Sequence, residues 1–548
     1  MRELNNFTRI TLDSQTKSRC AATTVTPVTE NAARREYHKT LTIRVAFKRD
    51  SCIVRANPLI IQGGMGVGIS HWHLAATVSS LGALGVVAGT ALDQVLSRRL
   101  QDGDPGGHMR RGLNLFPVPE IAERVWNTYY IPGGKSKDAG YQKLTMHTRE
   151  GTRQLYELCI VANFVEVILA REGHRNPVGI NYLEKVQMPH LPSIYGAMLA
   201  GVDYVLMGAG IPLKIPAVLD HFANHEEATY PLSVSGALEG DNTAMTFAPA
   251  SYIDRELPPL LRPKFLAIIA SNTLATTMLK RASGKVDGFV VEGPIAGGHN
   301  APPRGKLQLD SAGEPIYGER DCVDLPKMRE LGVPFWLAGG YGTPEKLQEA
   351  IVAGAAGIQV GTPFAFCEES GLREDYKRAL LQQVSEGRAL VVTDPLASPT
   401  GFPFKVVRLT GTNSEPDAYH SRPRICDLGY LQEAYRTPEG VIDYRCPGEP
   451  LTLFIAKGGK PENTIGRKCV CNGLMANIGL GQLRAGKHEE QGLITAGDAL
   501  TGINRFLAPG QTSYHAADVV NILMGRDTRP EATLYNITNI EPLPHSHA

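Results

Sequence analysis

What the 548-residue chain lacks narrows its chemistry before any motif is read. It has no surplus of charge: 56 Lys and Arg stand against 55 Asp and Glu, a net charge of +1. Nucleic acids and anionic membrane surfaces call for clustered basic excess, so neither is expected as a partner and a small-molecule substrate is. It also lacks a long apolar run. Leu81–Leu92 and Ile351–Phe366 are short or broken by glycine and Gln359, whereas a bilayer span needs about 20 apolar residues. The N-terminal stretch mixes acids and bases without the apolar core of a secretory signal, and a cytoplasmic location is the expectation. Cysteine is sparse and odd in number, nine in all, so full pairing is impossible. Without a secretory signal these thiols are read as reduced, metal-binding or small buried hydrophobes.

What is there is a large apolar fraction, 43%, enough for a sizeable core and more than one domain. Eight short apolar runs recur: Leu59–Gln62, Leu84–Ala88, Val178–Tyr182, Tyr204–Met207, Phe265–Ala270, Gly288–Val291, Phe335–Ala338 and Gly357–Val360. Each precedes a turn former and a segment with helical spacing. Near-continuous apolar strands alternating with helices make a parallel sheet, and eight such units predict an α/β fold, a closed (β/α)8 TIM barrel. An open doubly wound sheet is the alternative. The stretch from about 100 to 176 exceeds one helix and is read as a helical insertion, with "YYIPGGKSKDAGYQ" as an exposed loop. A second insertion, "NHEEATYPLSVSGALEGDNT", follows strand four. The expected organisation is an N-terminal extension over 1–54, the barrel over 55–395, and a Cys- and Gly-rich C-terminal extension or accessory domain over 396–548. The latter opens with a boundary or strap at 396–415 and carries a helix in "SYHAADVVNIL".

Active sites of parallel barrels lie at the carboxyl ends of the strands, and here those ends are rich in glycine: "QGGMGVG", "EGPIAGGH", "AGGYGTPEK" and "GTPFAF". Glycine lets backbone approach a ligand and exposes N–H groups, which points to a flat or phosphorylated ligand. In the seventh loop Thr343 suits a helix N-cap and Pro344 the first helical position. With Gly361 and Thr362 this makes the phosphate site that barrels build after strands seven and eight. The plainer reading is that Gly339, Gly340 and Gly342 only permit a tight turn.

The segments "PLIIQGGMGVGIS", "VEGPIAGGH", "FWLAGGYGTPE" and "GIQVGTPFAF", in that order, resemble the FMN-dependent nitronate monooxygenases, formerly 2-nitropropane dioxygenases. They also resemble the related barrel-type enoyl-ACP reductases, including the trans-acting reductases of polyunsaturated fatty acid synthases. The resemblance covers roughly 55–370 and implies FMN across the barrel mouth. By match to those motifs, Gln62, Gly63, Gly64 and Met65 would flank the isoalloxazine, Asn181 would line the ring, and Gly298 would pass its edge. Gly339, Gly340, Gly361 and Thr362 would hold the phosphate. His299 matches the family's active-site histidine, and an unperturbed imidazole, titrating near pH 6.5, can exchange a proton beside the flavin. The second "GGH", ending at His108, lacks a preceding strand and is read as loop.

The chain departs from the simpler members just after His299. In "NAPPRGKLQLDSAGEPIYGERD", Pro302 and Pro303 restrict the wall beside the histidine, and Arg304 is either an anion contact or solvent-exposed. In the C-terminal region Cys426, Cys446, Cys469 and Cys471 could bind zinc or an iron–sulfur cluster. Their spacing is not the paired arrangement of zinc sites, so reduced structural cysteines are expected and no metal ligand is assigned. The function the resemblance implies is nitronate oxidation with oxygen to carbonyl compounds and nitrite. The alternatives are an NAD(P)H-dependent enoyl-thioester reductase and a non-catalytic flavin-binding assembly component. Homo-oligomerisation is left open.

Overall fold

The computed structural model describes residues 57–485 and 488–526; the expected extension over 1–54 lies outside them. The eight expected strands form, each boundary within one residue of its sequence reading. They are β1 Ile60–Gln62, β2 Gly85–Ala88, β3 Val178–Leu183, β4 Tyr204–Gly208, β5 Lys264–Ile269, β6 Gly288–Glu292, β7 Phe335–Ala338 and β8 Gly357–Val360. All neighbouring pairs run parallel, in the spatial order β1-β8-β7-β6-β5-β4-β3-β2. β1 then returns to β2: the Gln62 N–H donates to the Leu84 carbonyl, and the Leu84 N–H to Ile60, both at 2.9 Å. The open-sheet alternative is thereby excluded, and the fold is a TIM barrel.

Alternation along each strand sorts the core into two layers. Ile61, Val86, Leu206, Leu266, Val290 and Trp336 fill the barrel interior, while Ile60, Val87, Val205, Phe265, Phe289 and Phe335 face the helices. The long insertion supplies an 18-residue helix, Arg153–Ala170, buried along nearly its whole length and packed between the helices Trp72–Ser80 and His190–Leu199. The 129–142 stretch is irregular, as expected, but not wholly exposed. Tyr141 is buried and its hydroxyl donates to Asp102 at 2.8 Å, so an aromatic anchor pins what composition made look free. His108 is likewise not loop: it starts the helix His108–Leu113 and packs on Trp72.

Residues beyond 396 wrap the barrel. The strands Val391–Asp394 and Phe404–Val407 pair antiparallel. Glu433–Arg436 pairs with Val234–Ser235 of the second insertion, and the helix Ala516–Leu523 packs on Trp72–Ser80 and Pro344–Val352. Buried polar contacts fasten this segment to the first insertion. The Tyr430 hydroxyl donates to Asp93, whose other oxygen contacts His147 at 2.8 Å, and Gln482 donates to the Tyr141 carbonyl at 2.9 Å. Buried donors and acceptors left unpaired cost about 1–3 kcal/mol each, so these matched pairs fix one docking arrangement. Among the described residues no helix is long and apolar enough to cross a membrane.

Candidate functional site

All eight strands end at one cavity of about 430 Å³, within the range of small-molecule and cofactor sites. Its floor is the barrel's carboxyl face. Its roof is the C-terminal segment, which contributes Phe404, Leu474, Thr495–Gly497 and part of 499–506. Of the eleven residues picked out from the sequence, ten line this cavity: Gly63, Gly64, Met65, Asn181, Gly298, His299, Gly339, Gly340, Gly361 and Thr362. Gln62 does not. It is fully buried beneath the rim, where its amide donates to Ser70 Oγ at 2.8 Å and accepts from the Val86 N–H at 3.0 Å. Its place at the strand end is as expected, but its side chain points into the barrel and secures the β1–β2 closure.

The rims are shaped by close approach. A Cβ on Gly64 would stand 2.4 Å from Asn181 Cβ, so only glycine lets the first loop lie against β3. Gly298 has φ of +84°, and a Cβ there would meet nothing within 4 Å; this glycine serves conformation and leaves the cavity wall flat. Two amide oxygens, Asn181 Oδ1 and Gln359 Oε1, line the cavity without a hydrogen-bond partner. Unpaired buried acceptors are rare and call for a donor. At the seventh loop Thr343 caps the helix Pro344–Val352, its hydroxyl accepting from the Lys346 N–H at 3.2 Å. Thr362 opens a helical turn, so its N–H has no intrahelical acceptor. Arg505 adds a cation to this end of the cavity.

His299 is half-buried, its ring centroid 4.7 Å from that of Phe404. Its Nε2 lies 2.7 Å from Ser398 Oγ, and that hydroxyl lies 2.8 Å from Thr400 Oγ1. Ser398 is fully buried, so the relay is rigid and Nδ1 is the nitrogen left for a ligand. Burial pushes the imidazole down to about 4, below the ordinary value assumed from sequence. The ring is therefore neutral at neutral pH. Glu292, at the end of β6, lines the same cavity, and burial raises its carboxyl to about 8. A neutral carboxylic acid and a neutral imidazole thus border one space.

That space opens into a side pocket of about 230 Å³ shared by Glu292 and His299 and walled by Pro302, Arg304, Tyr317 and Phe402. Arg304 is exposed, one of the two readings open from the sequence, and donates to the Ala270 carbonyl at 3.2 Å.

Sequence reasoning missed Glu292, Ser398, Thr495, Gly497 and Arg505. Glu292 stands in the quoted "VEG" and was open to notice. The others lie 99 to 206 residues from His299, and no spacing rule connects them. They matter because the Gly298 N–H donates to Thr495 Oγ1 at 2.9 Å and the Gly497 N–H to Thr362 Oγ1 at 2.8 Å. One irregular stretch of the roof, Thr495–Gly497, ties the histidine loop to the eighth rim. The four C-terminal cysteines lie elsewhere, around a separate small cavity. Among the described residues no three His, Cys, Asp or Glu side chains are gathered closely enough to hold a metal ion.

The nitronate monooxygenase family model matches residues 260–406. A probable nitronate monooxygenase of Staphylococcus saprophyticus is 31% identical over 147 residues, 26% of this chain and 38% of that protein. A hydroxy-methyl-oxo-octahydro-indene-carboxyl-CoA dehydrogenase of Mycobacterium tuberculosis is 29% identical over 154 residues, 28% of this chain and 39% of that protein. The match therefore spans less than half the length of these relatives. The solved structure of FabK from Thermotoga maritima aligns over 86% of this chain and 93% of its own, with 16% identity and a TM-score of 0.43. The similarity to the nitronate monooxygenase family is carried by residues 260–406, which hold β5 to β8 and the glycine-rich rims that follow them.

Proposed function

We propose that the chain is an FMN-dependent oxidoreductase that oxidises nitronates with oxygen to carbonyl compounds and nitrite. The observation that carries this reading is the main cavity at the carboxyl face, walled by glycine backbone and bordered by His299 and Glu292 in their neutral forms. The residues fit the cofactor: the unpaired oxygens of Asn181 and Gln359 suit the N–H edge of a flavin, and the side-chain-free rims suit its plane. Gly63, Gly64 and Met65 would flank the ring and Gly298 its edge. Gly339, Gly340, Gly361 and Thr362, with Arg505, would hold the phosphate. When bound, FMN supplies one- and two-electron redox chemistry and reactivity towards oxygen.

The chain's own residues bind and orient the substrate. Nitronates are anions, and an ionised carboxylate at Glu292 would repel them; held protonated by burial, it instead offers an O–H donor. Arg304, on the far wall of the side pocket, draws anions in. His299, fixed through Nε2 by Ser398, presents Nδ1 to hold or move a proton on the substrate. The C-terminal roof excludes water from this space.

A second reading, reduction of an enoyl thioester by NAD(P)H, is favoured by the apolar wall of the side pocket, Ile211, Ile268, Leu274 and Phe402. The CoA-thioester dehydrogenase among the relatives favours it too. Nitrite release from a nitronate in air, measured beside NADPH consumption with an enoyl thioester, separates the two. Nitrite without NADPH oxidation supports the first reading and the reverse supports the second; a flavin-loaded protein inert in both assays supports a non-catalytic assembly component.

A further inference from the structure

The side pocket of about 230 Å³ shares Ile268, Glu292 and His299 with the main cavity, so the two spaces meet at the groups that border the reaction. Beyond that junction its wall turns apolar. Ile211 follows β4, Ile268 stands near the end of β5, Leu274 lies in the first turn of the helix Asn272–Arg281, and Phe402 comes from the roof. Apolar side chains from separate elements thus converge on one concave surface, as they do in ligand sites. Ile211 is left 52% exposed there.

The polar groups of the outer wall are already engaged with one another. The Tyr317 hydroxyl donates to the Ala301 carbonyl at 3.1 Å, and Arg304 donates through Nη2 to the Ala270 carbonyl at 3.2 Å. Asp321 accepts from the Arg304 and Gly318 N–H groups, both at 2.8 Å. Pro302 has no N–H to offer. A polar ligand buried here would give up water for few new partners, a cost that an alkyl chain does not meet. The junction and the wall are also held in register. Ser398 Oγ lies 2.7 Å from His299 Nε2 and 2.8 Å from Thr400 Oγ1, which accepts from the Phe402 N–H at 3.3 Å. Residues 398–402 therefore set both the imidazole at the junction and the aromatic side of the pocket.

We propose that the side pocket is a chain-binding subsite: it takes the alkyl tail of a substrate whose planar anionic head lies between Glu292 and His299, which makes the substrate a nitronate of about six carbons. At about 30 Å³ for each group the size of a water molecule, the pocket has room for about seven such groups, and the head takes up part of that space. The identity of the head rests on the proposed function; the preference for an apolar tail does not.

The test is calorimetric titration of the full chain, with FMN added, by straight-chain carboxylates of three to ten carbons. A carboxylate has the planar shape and charge of a nitronate. Affinity should rise about threefold with each methylene, the worth of burying an apolar carbon, and level off near six carbons. Leu274→Trp, which fills the pocket, should weaken the six-carbon acid about tenfold or more relative to the three-carbon acid. Should that variant not fold, Leu274→Ala should move the levelling point to longer chains. An affinity indifferent to chain length, or a loss in the Leu274 variants that is equal for every acid, overturns the subsite. A rising series on a protein that releases no nitrite from nitronates keeps the subsite and removes the proposed function; a flat series on a protein that does release nitrite does the reverse.

Discussion

Replacing Glu292 by Gln should stabilise the protein, and only above the ordinary carboxylate range. Glu292 ends β6 with its carboxyl against the cavity, and burial raises it from 4.5 to about 8. A native-state value above the unfolded one means that ionisation favours the unfolded chain. The cost is absent below pH 4.5, grows by about 1.4 kcal/mol per pH unit up to about 8, and is constant beyond. At pH 7 this amounts to up to about 3 kcal/mol, and water in the cavity screens it to roughly half. Glutamine keeps the shape and cannot ionise. Thermal unfolding of wild type and Glu292→Gln at pH 4.5 and pH 7.5 should give equal Tm values at the lower pH and a Tm higher by a few degrees for the variant at the higher one. A gain that is the same at both pH values, or absent at pH 7.5, would refute the assignment of a neutral buried acid.

Other expectations follow from the same geometry. His299→Asn should keep FMN bound and lose about 100-fold in turnover, the lower end of what a positioned acid or base contributes; unchanged turnover removes the histidine from the mechanism. Because burial holds His299 neutral down to about pH 4, the pH profile of kcat/KM should show no inflection near 6.5 assignable to this ring, and one abolished by His299→Asn would contradict that. Arg505→Gln should weaken FMN binding about tenfold, the discounted worth of a half-exposed charged hydrogen bond, seen by flavin fluorescence titration. Glu490→Leu strips the buried carboxylate from both Arg422 and Arg484 and should cost about 3–5 kcal/mol, read as loss of soluble protein or a sharply lowered Tm.

Much of the barrel was legible because its signals are local. A run such as Phe335–Ala338, apolar on both faces and followed by "GGYGTPE", states strand, turn and capped helix within a dozen residues, and the structure returns each in place. The glycine rims were legible for the same reason. Gln62 was placed correctly and its direction missed, since period-two alternation over a three-residue strand cannot decide whether the last side chain faces cavity or core. His299 was found, but not its neutrality: the imidazole's value depends on burial, to which Phe404, about a hundred positions away, contributes. The four cysteines show the same limit. Their spacing is not that of a paired zinc site, and their gathering around one cavity depends on how the roof folds back on itself. The roof was the least legible part, because its contacts to the rims, such as the Gly298 N–H to Thr495 Oγ1 and the Gly497 N–H to Thr362 Oγ1, come from irregular segments that no periodicity announces.

The flavin site is tested most directly by mixing the purified full chain with a nitronate under anaerobic conditions and following flavin absorbance. The proposed function requires FMN bound at about one per chain, changes in its visible band on adding the nitronate, and nitrite once air is admitted. Protein that binds no FMN would contradict the cavity's assignment, and flavin bleached by NADPH but untouched by nitronate would contradict the proposed substrate.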